Sequence, residues 1–197
     1  MSHNVAHIDQ QKDTETVSLG FWLYLMTDCL LFATLFATFA VLRGGTAGSV
    51  SGNDIFDMNY VLIQTIALLT SSVTSGFALI TARAKMYTAS MLWLFATILL
   101  GASFLFLELQ EFRTLLADGH GWHISAFLSA FFTLVGTHGA HITAGLIWAI
   151  VLIVTLVRKG ITPRYAKNLT LFTMFWHFLD IIWIFIFTFV YAMGSLL

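Results

Sequence analysis

The chain has 197 residues, of which 58% are hydrophobic and 10% are charged. An ordinary soluble domain is about 25% charged, so this composition excludes a water-soluble domain and indicates an integral membrane protein. The formal net charge is −1 and the sequence has no long run of basic residues. The chain therefore lacks the basic patch that is typical of a nucleic-acid-binding protein. Cys29 is the only cysteine, which excludes an internal disulfide, a Cys-x-x-Cys redox pair and a cysteine-ligated iron–sulfur cluster.

Residues 1–18 are polar and are predicted to form a mobile cytoplasmic tail in front of the membrane. The first apolar run is too long for a signal-peptide core and has no basic lead-in, so we expect it to remain as an anchor. A helix needs roughly 20 residues to cross the hydrocarbon core, and five runs are that long. They predict an all-α protein with one five-helix transmembrane domain over residues 19–197, with spans at about 19–42, 59–82, 88–112, 124–157 and 169–196.

The distribution of lysine and arginine predicts the orientation of these spans. With the N-terminus inside, the cytoplasmic side holds Lys12, Arg83, Lys85, Arg158, Lys159, Arg164 and Lys167, and the opposite side holds Arg43 and Arg113. Basic residues in short loops favour the cytoplasmic side. The asymmetry therefore predicts a cytoplasmic N-terminus and a periplasmic C-terminus.

Titratable residues inside the predicted spans are the candidate site residues, because such groups are costly in hydrocarbon unless they are paired. They are Asp28 in span 1, Glu108 and Glu111 in span 3, His138 and His141 in span 4, and His177 and Asp180 in span 5. Pairs within one span are three residues apart, which places both members on one helix face. We expect these faces to point into the bundle or towards a lipid headgroup, as a lipid-binding or structural polar belt.

Depth in the membrane predicts which of these residues meet. At about 1.5 Å of rise per residue from the cytoplasmic ends, Asp28, His177 and Asp180 lie roughly 12–17 Å deep. The histidines of span 4 and the glutamates of span 3 lie deeper, at roughly 24–30 Å. We therefore expect Asp28 to lie in one belt with His177 and Asp180, and this belt to hold helices 1 and 5 in register.

Four interpretations of these polar residues remain open at this point. A di-iron site of the ferritin type would need Glu-x-x-His on single helices together with two further glutamates, and this pattern is absent; a haem held by two histidines would have to join different depths. A proton or solute transporter could use Asp28, His177 and Asp180 as a relay. The packing interpretation is favoured, in which the polar groups hydrogen-bond one another, a lipid headgroup or water and fix the packing of the helices. Small residues that allow helices to approach closely mark the packing faces of two spans. They are Ser71, Ser72, Thr74, Ser75 and Gly76 in span 2 and Gly136, Ala140 and Ala144 in span 4.

Four sequence stretches closely resemble subunit III of the haem–copper terminal oxidases, in the same order along the chain. They are GFWLYLMTDCLLFATLFATF (20–39), GASFLFLELQEF (101–112), SAFFTLVGTHGAHITAGLIW (129–148) and FWHFLDIIWIFIFTFVYAMG (175–194). The segments GTHGAHITAG and WHFLDIIWIF are the most specific. Within the family, the chain is most similar to the short five-span form found in bacterial quinol oxidases of the cytochrome bo type.

The resemblance implies a non-catalytic subunit of a proton-pumping complex that oxidises ubiquinol with oxygen in the aerobic respiratory chain. It implies oxidase subunits I, II and IV as partners, haem and copper in subunit I, no cofactor on this chain, and location in the bacterial inner membrane. It also implies a V-shaped cleft that holds phospholipid, which we expect between the first two spans and the last three. Such a subunit would support the stability, lipid binding and proton uptake of subunit I.

Individual positions also match the family pattern. Glu111 matches the acid of the family's Glu-Phe or Glu-Tyr pair, whereas Glu108 stands where cytochrome c oxidase relatives often have glutamine. Asp28 stands where many relatives carry glutamate. The remaining candidates match in place, namely His138, His141, His177 and Asp180.

Overall fold

A computed structural model describes residues 2–42, 58–117 and 125–192, which are helical along almost all of their length. The helices are α1 (Ser2–Leu42), α2 (Met58–Arg83), α3 (Tyr87–Ala117), α4 (Ala126–Lys159) and α5 (Pro163–Ile186), and α5 continues as a π-helix over Phe187–Ala192. Each of the five includes a segment that is long and apolar enough to cross a membrane. The predicted all-α fold with five membrane-spanning helices is confirmed. Arg43, which the orientation argument uses, lies outside the described residues.

The N-terminal residues belong to the first helix. Helix α1 begins at Ser2, whereas the sequence analysis predicts a mobile tail through residue 18 and starts the span at residue 19. Residues 2–18 contain neither glycine nor proline, the two residues that most strongly oppose a helix. The helix therefore continues through the polar residues and reaches its apolar segment at Thr16.

Helix α5 begins six residues before the predicted span, at Pro163 instead of residue 169. The Thr162 side chain accepts a hydrogen bond from the backbone N–H of Tyr165 at 3.1 Å. Proline suits the first helical position because its missing N–H would have no partner there, and threonine is a good N-cap. The first turns of α5 therefore include Arg164 and Lys167, which the sequence analysis places in a loop.

The packing of the helices leaves a gap between α1 and α2. Helix α2 packs most extensively on α3 and also on α5, whereas α1 packs on α4 and, to a smaller extent, on α5. Between them a strip of α5 stays open, where Ile181 is 53% exposed. This arrangement differs from the expected division into the first two helices and the last three, because α1 and α2 do not pack along each other.

Trp176 of α5 occupies the centre of the bundle, where α2, α3 and α4 meet. Its indole Nε1 donates a hydrogen bond to Oγ of Ser71 at 2.7 Å. A Cβ atom added at Gly101 would lie 2.8 Å from Cζ2 of this ring, and one at Gly145 would lie 2.7 Å from Cζ3. Both distances are far below van der Waals contact, so the two glycines make room for the ring from α3 and α4.

Candidate functional site

Asp28 of α1 is paired with His141 of α4. Asp28 Oδ2 lies 3.6 Å from Nε2 of His141, and Tyr24, one turn earlier on α1, lies near the same carboxyl group. Asp28 is buried, and the ring of Phe32 lies against His141 with a centroid distance of 5.3 Å. The pair therefore joins α1 to the rest of the bundle inside the membrane.

The second ring nitrogen of His141 is held by its own helix. Nδ1 lies 2.8 Å from the carbonyl oxygen of Thr137, and a carbonyl oxygen only accepts hydrogen bonds, so Nδ1 carries a hydrogen. This contact orients the ring so that Nε2 faces Asp28.

Glu111 of α3 is hydrogen-bonded to α2 and lies close to the end of α5. Gln64 Nε2 of α2 donates to Glu111 Oε2 at 3.1 Å, and Tyr191, on the π-helical end of α5, lies near this carboxyl group. Tyr60 of α2 adds a nearby bond, from its hydroxyl to the carbonyl oxygen of Leu107 at 3.0 Å. Glu111 therefore joins α3 to α2 beside the end of α5.

Glu108 points away from this network and against α4. The residue is 2% exposed, and a Cβ atom added at Gly139 would lie 2.8 Å from Oε1 and 3.0 Å from Oε2 of Glu108. Within the described ranges, neither carboxyl oxygen of Glu108 has a hydrogen-bond partner. The small residue at position 139 thus lets a carboxyl group lie directly on a helix backbone. The two glutamates share a helix but contact different neighbours.

His138 is completely buried among aromatic rings. It stacks on Trp183 with a centroid distance of 5.3 Å and an interplanar angle of 29°, and it meets Phe104 edge-on at 6.0 Å. In the part of the chain that the structure describes, neither ring nitrogen has a hydrogen-bond partner. These surroundings favour a packing role for His138 and leave no path to a lipid headgroup.

His177 and Asp180 of α5 meet α2 at Ser72. The Ser72 hydroxyl is hydrogen-bonded to Nδ1 of His177, and the Asp180 carboxyl group lies near both side chains. All three residues line one recess. The two α5 residues therefore share one face, as their spacing predicts.

The predicted belt of Asp28, His177 and Asp180 is wrong, because Asp28 pairs with His141 instead. Asp28 lies about 18 Å of helical rise after Thr16, the start of the first apolar segment, and His141 lies about 27 Å before Lys159. The two residues lie at one height because α4 extends further beyond His141, towards this side of the membrane, than the first apolar segment extends beyond Asp28. Depths counted from the helix ends agree only where the helices end at a common height.

Sequence reasoning missed the hydrogen bonds made by two tryptophans. Trp183 Nε1 donates to Oγ1 of Thr65 at 3.0 Å, in the same way that Trp176 donates to Ser71. The tryptophans are seven residues apart and so share one face of α5, while their acceptors lie six residues apart on α2. This matched spacing is the signal that could have predicted the contact, since a buried indole N–H requires an acceptor.

A resident metal ion finds no support in the described residues. These residues include no group of three or more histidine, cysteine, aspartate or glutamate side chains that could hold a metal. The pair of Asp28 and His141 offers two such side chains. The contacts of Asp28 with His141, of Glu111 with Gln64 and of His177 with Ser72 instead join neighbouring helices.

Comparison with known proteins identifies the family. The family model described as cytochrome c oxidase subunit III matches residues 4–195. The chain is 50% identical to a Pseudomonas aeruginosa protein named cytochrome bo(3) ubiquinol oxidase subunit 3, over 99% of this chain and 94% of that protein. It is 43% identical to a Bacillus spizizenii protein named quinol oxidase subunit 3, over 96% of this chain and 93% of that protein.

A cytochrome c oxidase relative is also similar over most of its length. The protein named cytochrome c oxidase subunit 3 from Bacillus sp. is 44% identical, over 89% of this chain and 85% of that protein. Together with the match over residues 4–195, these similarities cover nearly all of the described helices. The chain belongs to the cytochrome c oxidase subunit III family.

Proposed function

We propose that this chain is subunit III of a proton-pumping haem–copper oxidase that transfers electrons from ubiquinol to oxygen. The observation that carries the proposal is the 50% identity, over nearly the whole chain, to a protein named as subunit 3 of a ubiquinol oxidase. The cytochrome c oxidase relative is 44% identical over 89% of this chain, whereas the ubiquinol oxidase relative matches over 99% and the quinol oxidase relative over 96%. The fuller coverage by the quinol oxidase relatives favours quinol over cytochrome c as the electron donor of the complex.

The redox chemistry is assigned to other subunits. Haem and copper belong to subunit I, and subunits I, II and IV are the proposed partners. This chain supports the stability and proton uptake of subunit I, and its polar residues tie its own helices together. Asp28 with His141 joins α1 to α4, and Glu111 joins α3 to α2 through Gln64.

Phospholipid binding is proposed for the groove where α1 and α4 approach their outer ends. A cavity of about 150 Å³ there is lined by Leu35, Thr38, Leu42, Ser129, Ala130 and Thr133. Leu42 is the last residue of α1, so an acyl chain in this cavity leaves its headgroup at the membrane surface. Retained phospholipid in the purified complex, measured by native mass spectrometry after mild washing, is the expected result, and its absence would contradict this part of the proposal.

The proposed location is the bacterial inner membrane, with the N-terminus in the cytoplasm and the C-terminus in the periplasm. Consecutive spanning helices alternate in direction, so the end of α2, the end of α4 and the start of α5 share one side. Those three ends carry Arg83, Arg158 and Arg164. Their common position supports a cytoplasmic side by the positive-inside rule.

Affinity purification in mild detergent tests the proposed function. A tag on this chain should recover the other oxidase subunits, and the eluate should be red, with the absorption of protein-bound haem. A colourless eluate that contains this chain alone would contradict the proposal. That outcome would favour the independent transporter, which the oxidase names of the relatives do not support and whose relay is weakened because Asp28 contacts His141 instead of His177.

A further inference from the structure

A recess opens on the lipid-facing surface between α2 and α5. It has a volume of about 330 Å³ and is lined by Leu69, Thr70, Ser72, Val73, His177 and Asp180. Its apolar wall comes from α2, where Val73 is 57% exposed. Its other wall is the polar cluster of Ser72, His177 and Asp180, so it combines hydrogen-bonding groups with an opening towards the hydrocarbon.

Two polar side chains of this cluster, His177 and Asp180, line the recess. Asp180 is 7% exposed, and among the described residues its Oδ1 atom is buried without a hydrogen-bond partner. His177 uses Nδ1 in its contact with Ser72, which leaves Nε2 for another partner. Buried polar atoms normally have partners, so the recess suits a molecule that brings hydrogen-bonding groups of its own.

A second, apolar groove lies further along α5. The groove has a volume of about 390 Å³ and lies between α1 and α5, where it is lined by Ala33, Phe36, Ala37, Phe39, Ala40, Phe185 and Phe189. His177, the exposed Ile181 and Phe185 follow each other at intervals of four residues, so they form one continuous face of α5. This face connects the polar recess to the apolar groove.

The depth of the recess excludes a phospholipid headgroup. His177 lies about 21 Å of helical rise from both Pro163 and Tyr191, the two ends of the fifth apolar segment. A bilayer core is about 30 Å thick, so the polar groups lie near its centre and the apolar groove leads away towards one surface. A phospholipid has the opposite order, with its polar end at the surface and its chains at the centre.

We infer that the recess binds the ring of an isoprenoid hydroquinone, with its apolar tail in the groove between α1 and α5. A phenolic hydroxyl both donates and accepts hydrogen bonds, so it can pair with the Asp180 carboxyl group that lines the recess and with Nε2 of His177. A quinone carbonyl only accepts, so the reduced form binds more tightly. The site holds quinol and carries out no redox step; the choice of quinol rests on the proposed function.

Photoaffinity labelling of the intact complex tests this inference. The probe is an arylazido ubiquinol analogue, kept reduced under anaerobic conditions, and the labelled peptides are identified by mass spectrometry. We expect label within residues 69–73 or 177–189 and stronger competition by a short-chain ubiquinol than by the matching ubiquinone. Haem content reports on the proposed function, whereas the labelled peptides report on this inference, so the two can fail separately.

Two variants and one control make the result decisive. Val73→Trp fills the recess from its exposed wall and should lower the labelling at least tenfold, and Asp180→Asn should lower it about threefold because the amide keeps the shape but changes the hydrogen bond. Val154 is also exposed but lies on α4, away from the recess, so Val154→Trp should leave the labelling unchanged. Equal labelling in all three, label confined to other subunits, or a density map with a helix or phospholipid over Ser72 would overturn the inference.

Discussion

The contact between Gly145 and Trp176 provides a sharp test of the packing. A Cβ atom at Gly145 would lie 2.7 Å from Cζ3 of Trp176, 3.0 Å from its Cε3 and 3.2 Å from Cε1 of Phe175. The ring cannot easily move, because Ser71 holds its Nε1 atom at 2.7 Å and Gly101 of α3 lies against its Cζ2 atom. Gly145→Ala should therefore destabilise the bundle although alanine is the better helix former.

Gly136, on the same helix, offers a matched control. A Cβ atom there would meet only Cε2 of Phe112, at 3.8 Å, which is ordinary van der Waals contact. Both substitutions carry the same gain in helix propensity, up to about 1 kcal/mol, so this term cancels in the comparison. Overpacking of a rigid core costs typically 1–3 kcal/mol, and we expect Gly145→Ala to be less stable than Gly136→Ala by about 2 kcal/mol.

Fluorescence-detected size-exclusion chromatography after heating measures this difference on a tagged chain within its complex. For a chain of 150–250 residues, 1 kcal/mol corresponds to roughly 2–4 °C in Tm, so the two variants should differ by roughly 4–8 °C. Equal melting temperatures would refute the reasoning. They would show that the Trp176 ring is not confined as the structure describes.

Three further predictions concern the polar contacts and the topology. Asp28→Asn should retain quinol oxidase turnover and proton pumping in vesicles, whereas Asp28→Leu leaves Nε2 of His141 without its partner and should lower the stability by about 1–3 kcal/mol in the same heating assay; loss of pumping by an intact Asp28→Asn complex would instead make Asp28 a proton carrier. A double-mutant cycle of Thr65→Ala and Trp183→Phe should give a coupling energy of about 1 kcal/mol, and a value near zero would argue against this hydrogen bond. A reporter enzyme fused in the loop at 160–162 should report the cytoplasmic side, and periplasmic activity would reverse the proposed topology.

The sequence allowed correct prediction of the elements that depend on local patterns. Five apolar runs predicted five helices, because crossing a membrane demands a minimum length of apolar helix. The three-residue spacing of His177 and Asp180 predicted that they share a face, and both line one recess together with Ser72. The same spacing was less informative for Glu108 and Glu111, because Glu108 contacts α4 at Gly139 whereas Glu111 contacts Gln64 of α2.

Contacts between helices could not be predicted in the same way. The pairing of Asp28 with His141 depends on the relative heights of α1 and α4, and these heights are set by where each helix begins and ends outside the hydrocarbon. The Thr162 cap fixes one such boundary at Pro163, six residues before the apolar run suggested. The tryptophan partners on α2 depend on helix rotation as well, which composition and hydropathy do not determine.

Quinol-dependent oxygen consumption by the complex purified through a tag on this chain tests the central claim most directly. The account predicts that ubiquinol added to the purified material is oxidised, that oxygen is consumed in proportion, and that cyanide, a haem–copper inhibitor, stops both. Purified material that contains the folded chain but consumes no oxygen with ubiquinol, while the remaining membrane keeps all of its quinol oxidase activity, would contradict it.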